Sequence, residues 1–189
     1  MGKPRRPDPV KLICGVLAND ADRLRRAQQL MTRRYGPIDA ESPITPFDHT
    51  DYYAEEMGPG LLRGYWAFER LIHCEQIAEI KLETNAMEQR LGDEMLDEYP
   101  RPVNLDPGYL SLNKLTLATT KDANHRVYVG HGLYVEPTLR YEHENWRPWP
   151  WTYADYQLDA TRAFFRDVRG AYRTQLREWR ESLGGGGGE

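Results

Sequence analysis

Apolar residues follow two different periods along this chain, and each period predicts one kind of element. Residues 10–17 and 61–71 form short apolar runs, which are typical of buried strands. Residues 19–35 and 75–91 instead carry an apolar side chain every three or four positions, which predicts helices that pack one face on a core. The first half of the chain therefore alternates between strands and helices.

Boundary residues at the ends of these elements support the same assignment. Asn19 or Asp20 is expected to cap the first helix, and Gly36 followed by a proline ends it. Residues 38–53 contain two prolines, so they predict an edge strand or a meandering loop.

The second half of the chain predicts hairpins followed by one long helix. Residues 103–136 indicate consecutive strands that are separated by two turn signals. Residues 146–153 are rich in tryptophan and proline and predict a linker that clamps the last helix onto the core. Thr152 is expected to cap this helix, which is predicted over residues 153–183.

This order of elements predicts a single α+β domain over residues 1–183, followed by a flexible glycine-rich tail at residues 184–189. Its beginning is compatible with a ferredoxin-like β-α-β-β-α unit. We expect a largely antiparallel sheet that is covered on one face by helices.

Composition narrows the function classes without selecting one. The hydrophobic fraction of 40% is typical of a globular protein, and the net charge of −4 gives no global reason to bind nucleic acid or an anionic membrane. No apolar stretch approaches the roughly 18 residues of a membrane span. Cys14 and Cys74 have no metal-ligand spacing, so we interpret them as reduced side chains and predict a cytoplasmic protein.

The predicted last helix carries arginines along one narrow arc, because they recur every three or four residues. This stripe consists of Arg162, Arg166, Arg169, Arg173, Arg177 and Arg180. One interpretation is a solvated helix face. The other is a ridge that contacts RNA phosphates or a protein partner, which makes a non-catalytic binding module the alternative function, although RNA is not the favoured partner.

Three polar residues border the apolar stripe of the helix predicted at residues 75–91. Lys81, Asn85 and Glu88 lie along one edge of it. A lysine, an amide and a carboxylate at a core boundary are suited to bind a substrate. The same spacing also fits an ordinary ion pair on a helix surface.

Charged residues also interrupt the predicted strands. Lys114 and Glu136 lie within strands, where turn chemistry does not explain them. Asp106 precedes Pro107-Gly108, so a turn explains it as well as substrate or metal binding does.

Three further charged or titratable residues flank one predicted turn. Lys121, His125 and Arg126 either form an anion pocket, with the histidine as a general base, or decorate an exposed hairpin tip.

These residues lead to the hypothesis of a site for a phosphate-bearing small molecule or a nucleotide, and whether the site is catalytic stays open. The catalytic candidates are Glu136, His125 and Asp106. The substrate-binding candidates are Lys81, Asn85, Glu88, Lys114, Lys121 and Arg126. A divalent cation such as magnesium would suit carboxylates beside a phosphate.

Seven sequence blocks in order along the chain carry a family resemblance: PVKLICGVL, YGPID, TPFDHTDYYAEEMG, KLETN, VNLDPGYLSLNKLTLATTK, HRVYVGHGLY and WTYADY. Together they resemble the prokaryotic domain-of-unknown-function family 4416, whose last block more often reads WTYPDY, so Ala154 departs from its pattern. Members sometimes carry a GTP-binding label, but this chain has no G-x-x-x-x-G-K-[ST] phosphate loop. The resemblance implies one compact domain and assigns no catalytic residue.

Overall fold

A computed structural model describes residues 2–48, 53–95 and 99–184 of the chain. In these residues the nine strands are β1 (Val10–Ala18), β2 (Ile38–Glu41), β3 (Thr45–Pro46), β4 (Leu62–Ile72), β5 (Val103–Leu110), β6 (Lys114–Thr119), β7 (Val127–Gly130), β8 (Leu133–Glu142) and β9 (Asn145–Pro148). The helices are α1 (Ala21–Tyr35), α2 (Ala54–Met57), α3 (Ile77–Met95), α4 (Ala154–Gln157) and α5 (Asp159–Gly184).

The strands form one antiparallel sheet in the order β2-β4-β1-β5-β6-β8-β7, with β3 added to β4 and β9 added to β8. The central strand β1 lies between β4 and β5, and β2 lies at the edge beyond β4. This is the strand order of a ferredoxin-like β-α-β-β-α-β unit, with β6 to α5 as an extension. The predicted α+β class, antiparallel sheet and ferredoxin-like start are confirmed.

Helices cover both faces of the sheet, so the expectation that they cover one face was wrong. On one face α1 and α3 contribute Leu24, Met31 and Ile80 to a core with the sheet residues Leu12 and Trp66. On the opposite face α5 buries a row of apolar residues, Phe165, Val168, Tyr172 and Leu176, against β1, β4, β6 and β8. The apolar side of α5 is long enough to cover that face, so the fold has three layers: α1 and α3, the sheet, and α5.

The sheet contains a local opening between β5 and β6. These strands pair only over Gly108–Leu110 and Leu115–Leu117, so within residues 2–48, 53–95 and 99–184 no strand lies on that side of the beginning of β5. The two strands approach each other closely at Gly108, where an added Cβ atom would lie 2.3 Å from the Thr116 carbonyl oxygen. The two strands therefore separate just beyond this contact, and a cleft begins there.

Two predicted turns or linkers are strands in the structure. Pro107-Gly108 lies inside β5 rather than in a turn, because proline needs no backbone donor on the unpaired side of the strand. Residues 145–148 form β9, which pairs with the end of β8, and only the residues after it link to the last helices.

The predicted helix over residues 153–183 is divided at Leu158, whose extended backbone separates α4 from α5. Thr152 does not cap α4, because its hydroxyl donates to the Thr138 carbonyl and accepts from the Trp149 backbone N–H. By contrast, Asp20 caps α1 as expected.

The described residues contain no helix that is both long and apolar enough to cross a membrane. Helix α5 continues through Gly184, and the rest of the predicted tail, residues 185–189, lies outside the described residues.

Candidate functional site

A cavity of about 660 Å³ occupies the cleft where β5 and β6 separate. This volume is in the range of sites for small molecules and cofactors. Its walls come from β1, β4, β5, β6, β8, α3 and α4, and therefore from both halves of the chain. Many of the side chains that line it are ionisable, although the surrounding sheet is largely apolar.

Helix α3 satisfies the backbone of β5 where no strand does. The Lys81 ammonium donates to the Leu105 carbonyl oxygen at 2.8 Å, and the Leu105 N–H donates to the Glu88 carboxylate at 2.7 Å. Both side chains are buried. Their first role is thus to replace the missing strand partner, since buried backbone groups need hydrogen bonds. The ammonium keeps further donors for the cavity.

Burial raises the pKa of the Glu88 carboxyl, and the charges of Lys81 and Arg101 only partly oppose this effect. The Arg101 guanidinium lies 2.8 Å from the second Glu88 oxygen. Arg101 also donates to the Asn104 side-chain oxygen. These contacts hold the beginning of β5 against α3.

Arg63 is the buried centre of the charged network. Its guanidinium lies 3.1 Å from the Asp106 carboxylate and 2.8 Å from the Asp155 carboxylate, and it packs over the Tyr65 and Tyr156 rings. Gly15 on β1 leaves the space for this arrangement, because a Cβ atom there would lie 3.0 Å from both Arg63 and the Tyr156 hydroxyl.

Asp106 presents one carboxylate oxygen to its neighbours and one to the cavity. Its Oδ2 atom accepts from Arg63 at 3.1 Å and from Asn104 at 2.8 Å, whereas Oδ1 accepts no hydrogen bond from the described residues. Burial acts to raise the pKa of Asp106, but the charges of Arg63 and Lys81 outweigh it and hold the pKa below its usual value. Asp106 is therefore an ionised acceptor near neutral pH.

Glu136 on β8 has the same arrangement. Its Oε2 atom accepts from Arg126 at 2.7 Å and lies 3.0 Å from the His125 ring nitrogen Nε2. Its Oε1 atom is buried and has no hydrogen-bond partner among the described residues. Glu136 lines the cavity and is only 1% exposed, so Oε1 is shielded from bulk water.

Arg126 and His125 serve Glu136 and do not themselves line the cavity. The guanidinium of Arg126 also donates to the Lys121 carbonyl at 2.8 Å and to the Tyr153 hydroxyl at 2.9 Å, so all three of its nitrogens are engaged. Both ring nitrogens of His125 have partners, Asn124 and Glu136. The His125 and Arg126 side chains therefore lie against β8, although Lys121, Asp122 and Asn124 at the turn are exposed.

Three stacked side chains, Trp151, Trp149 and Arg140, support His125 from behind, and we call the stack of all four the aromatic ladder. His125 stacks on Trp151 at 4.9 Å between ring centres, and Trp151 stacks on Trp149 at 5.2 Å. The Arg140 guanidinium covers the other face of Trp149 at 4.2 Å. The ladder fixes the imidazole plane beside Glu136.

Six of the nine residues predicted for the site line the cavity: Lys81, Asn85, Glu88, Asp106, Lys121 and Glu136. His125 and Arg126 lie directly behind them as partners of Glu136. Lys114 lies elsewhere, because it is exposed at the opposite end of β6, where it pairs with Arg140.

Five polar residues of the cavity lining were not predicted from the sequence: Arg63, Arg101, Asn104, Asp155 and Tyr156. Arg63 carries a visible signal in the sequence, since it is the one charge in the first seven residues of β4, which are otherwise uncharged and mostly apolar. Asp155 carries no such signal in the sequence, because an aspartate near the start of a helix is explained by ordinary helix capping.

The carboxylates do not form a metal site in residues 2–48, 53–95 and 99–184, where no three His, Cys, Asp or Glu side chains converge. Asp106, Asp155, Glu88 and Glu136 are each held by an arginine instead. The magnesium expectation thus has no set of protein ligands in these residues.

The arginine stripe on α5 is partly engaged within the protein. Arg162 donates to the Trp146 carbonyl, Arg169 donates to the Leu112 carbonyl at 2.7 Å, and Arg180 pairs with Asp8. Arg166 and Arg173 remain exposed.

Comparison with known proteins identifies a family without a described activity. No curated protein and no solved structure is significantly similar to the chain. One family model, described as a domain of unknown function, matches residues 8–172 and so covers the sheet, the cavity and most of α5. The chain belongs to this family, DUF4416.

Proposed function

We propose that this protein binds a small phosphate-bearing molecule, such as a phosphorylated metabolite or a nucleotide, in the cavity between β5 and β6. The observation that carries the proposal is that buried cations, carboxylates and a hydroxyl from separate elements converge on one cavity of suitable volume.

The charged network is difficult to explain by stability alone. Taking ion pairs out of water has a desolvation cost that often exceeds their attraction, and apolar side chains of similar volume commonly stabilise a core as well or better. Arg63, Asp155 and Glu136 are nevertheless all buried around the same cavity. Such an arrangement is typical of binding and catalytic sites.

The anionic group is expected at the end of the cavity formed by Lys81 and residues 119–121. Within the part of the chain that the structure describes, the Lys81 ammonium makes one hydrogen bond, so further N–H donors remain for a phosphate. Thr119, Thr120 and Lys121 line the same cavity with hydroxyls and a second ammonium. The aromatic rings of Tyr53 and Tyr153 also line it and offer apolar contact to the rest of the molecule.

Replacing Lys81 by methionine is expected to weaken phosphate-bearing ligands about tenfold, because it removes a charged donor while keeping the length of the side chain. Binding would be measured by thermal shift and calorimetry with ribose 5-phosphate, glucose 6-phosphate, AMP and ATP. Lys114→Met is the matched control, since Lys114 is an exposed lysine outside the cavity.

The proposal fails if no phosphorylated probe binds the wild-type protein. It also fails if the Lys114→Met and Lys81→Met variants, both folded, lose affinity equally, because the binding would then not depend on the cavity.

A catalytic role would use the same carboxylates in different ways. The lowered pKa of Asp106 suits it to accept hydrogen bonds and not to donate a proton. Glu136 has the unshared oxygen that could exchange a proton with a bound molecule, and His125 would act by orienting Glu136.

The free cysteines Cys14 and Cys74 fit a reducing compartment, so we expect the protein to act in the cytoplasm.

The alternative is an RNA or protein partner on the arginine face of α5. It has less support, because Arg162, Arg169 and Arg180 already contact other parts of the protein. If RNA binds there, its affinity should fall steeply with salt, and the triple variant Arg166→Gln, Arg173→Gln, Arg177→Gln should flatten that dependence. An unchanged salt slope would rule out this face.

A further inference from the structure

Two residues that line the cavity each carry a buried polar atom without a partner in the described residues. These atoms are the Oε1 atom of Glu136 and the hydroxyl of Tyr156. Buried polar groups are usually satisfied, and an unsatisfied one costs about 1–3 kcal/mol. We propose that these atoms, together with Asp106, bind hydroxyl groups of the ligand, which is therefore a phosphorylated carbohydrate: a sugar phosphate or the ribose phosphate of a nucleotide. This inference rests on the proposed function.

The carboxylates of Asp106 and Glu136 have the same arrangement of hydrogen-bond partners. Asp106 and Glu136 both line the cavity, and in each of them one oxygen is held by an arginine and a neutral or histidine partner, whereas the other has no hydrogen-bond partner in the described residues. Each pair thus offers an acceptor of fixed direction. The arginine also reduces the repulsion that a lone carboxylate would exert on a nearby phosphate.

These acceptors favour hydroxyl groups over ammonium groups. An ammonium next to Asp106 would also lie near the charges of Arg63 and Lys81, which act on that carboxylate. Next to Glu136 it would lie near Arg126. A hydroxyl donates to a carboxylate without this repulsion, and it can accept from a neighbouring phenol at the same time.

Tyr153 lines the cavity together with both carboxylates, Asp106 and Glu136. Burial raises the pKa of Tyr153, and the charges of Glu136 and Asp106 both add to this effect. The Tyr153 hydroxyl accepts from Arg126 at 2.9 Å, and Arg126 also donates to Glu136, so this phenol is tied to Glu136 through one guanidinium. A sugar ring carries hydroxyls at several positions, so it can reach acceptors on two sides at once.

The test compares phosphates with and without hydroxyl groups. Ribose 5-phosphate, glucose 6-phosphate and AMP are the hydroxylated probes, and butyl phosphate carries the phosphate alone. In wild-type protein, calorimetry is expected to show at least about tenfold tighter binding of the best hydroxylated probe, because hydrogen bonds to charged acceptors are among the stronger ones. Selectivity for AMP over both free sugar phosphates would identify a nucleotide, and the reverse would identify a sugar phosphate.

Glu136→Gln and Tyr156→Phe are the matching variants. In Glu136→Gln an amide replaces the carboxylate, and the discrimination between ribose 5-phosphate and butyl phosphate is expected to fall about tenfold. Affinity for butyl phosphate itself should stay the same. Glu142→Gln, an exposed carboxylate at the end of β8, is the control and should keep full discrimination.

The outcomes separate this inference from the proposed function. If no phosphate binds at all, the proposed function fails and the inference fails with it. If butyl phosphate binds as tightly as the hydroxylated probes, the cavity binds phosphate but the carbohydrate inference is overturned. The wild-type comparison decides this even if neither variant folds.

Discussion

Arg63→Met is expected to lower the free energy of unfolding by about 3–5 kcal/mol, the usual cost of removing one partner from a buried ion pair. The guanidinium lies between Asp106 and Asp155, and its loss would leave two carboxylates without their counter-charge. Methionine fills much of the same volume, so the cavity left behind is a small part of the effect. Urea denaturation at neutral pH measures the difference.

Acid should reduce this difference. Because Asp106 has a folded-state pKa below its ordinary value of 3.8, its contribution to stability is present above that value and is lost as the pH falls through the folded-state pKa. The unfolding free energies of wild type and Arg63→Met should therefore converge below about pH 4. A gap that stays constant down to pH 3 would mean that Arg63 acts by packing alone.

Arg173→Met is the control for this variant. Arg173 is exposed on α5, and its replacement should change stability by no more than about 0.5 kcal/mol. A similar loss in both variants would show that arginine content in general, and not the buried network, determines stability.

Gly108→Ala is expected to cost about 2–3 kcal/mol, at the upper end of the usual range for overpacking a core. The added Cβ atom would lie 2.3 Å from the Thr116 carbonyl oxygen and 2.8 Å from the Leu117 side chain. The nearest atom belongs to the backbone of the neighbouring strand, so relief requires β5 and β6 to move apart. Thermal and urea unfolding measure the cost.

Gly170→Ala is the matched control for the same substitution. Gly170 lies within α5, and a Cβ atom there would have nothing within 4 Å. Alanine is favoured over glycine in a helix interior by about 1 kcal/mol, so this variant should be stabilised. A neutral or stabilising effect of Gly108→Ala would instead show that β5 and β6 leave room for a side chain at this position.

Most of the fold could be predicted from the sequence because its elements are locally consistent. Helix α1 has its apolar period, its aspartate cap and its glycine end in the expected places, and β1 and β4 are apolar runs of suitable length. Strand β9 was missed because four residues with a tryptophan and a proline carry little periodicity. That both sheet faces are covered depends on the placement of α5, which local patterns do not determine.

The candidate site was predictable where polar residues break an apolar pattern. Lys81 and Glu88 fall in the buried stripe of α3 together with Ile80, Thr84 and Leu91, and Glu136 lies inside a strand. Lys114 gave the same signal but lies at the wrong end of its strand. Sequence alone does not fix where β5 and β6 separate, and this separation decides which strand end faces a cavity.

The aromatic ladder has a consequence for the entropy of binding. When a ligand must order a flexible side chain, the lost entropy costs about 0.5–1.5 kcal/mol of binding free energy for each such side chain. Here Trp149 and Trp151 already restrict the imidazole of His125, and this imidazole and Arg126 restrict Glu136. The Glu136 carboxylate is thus already ordered in the folded protein, and ligand binding costs little further side-chain entropy at this position. Affinity would consequently depend on an indole ring two stacking contacts away from the carboxylate.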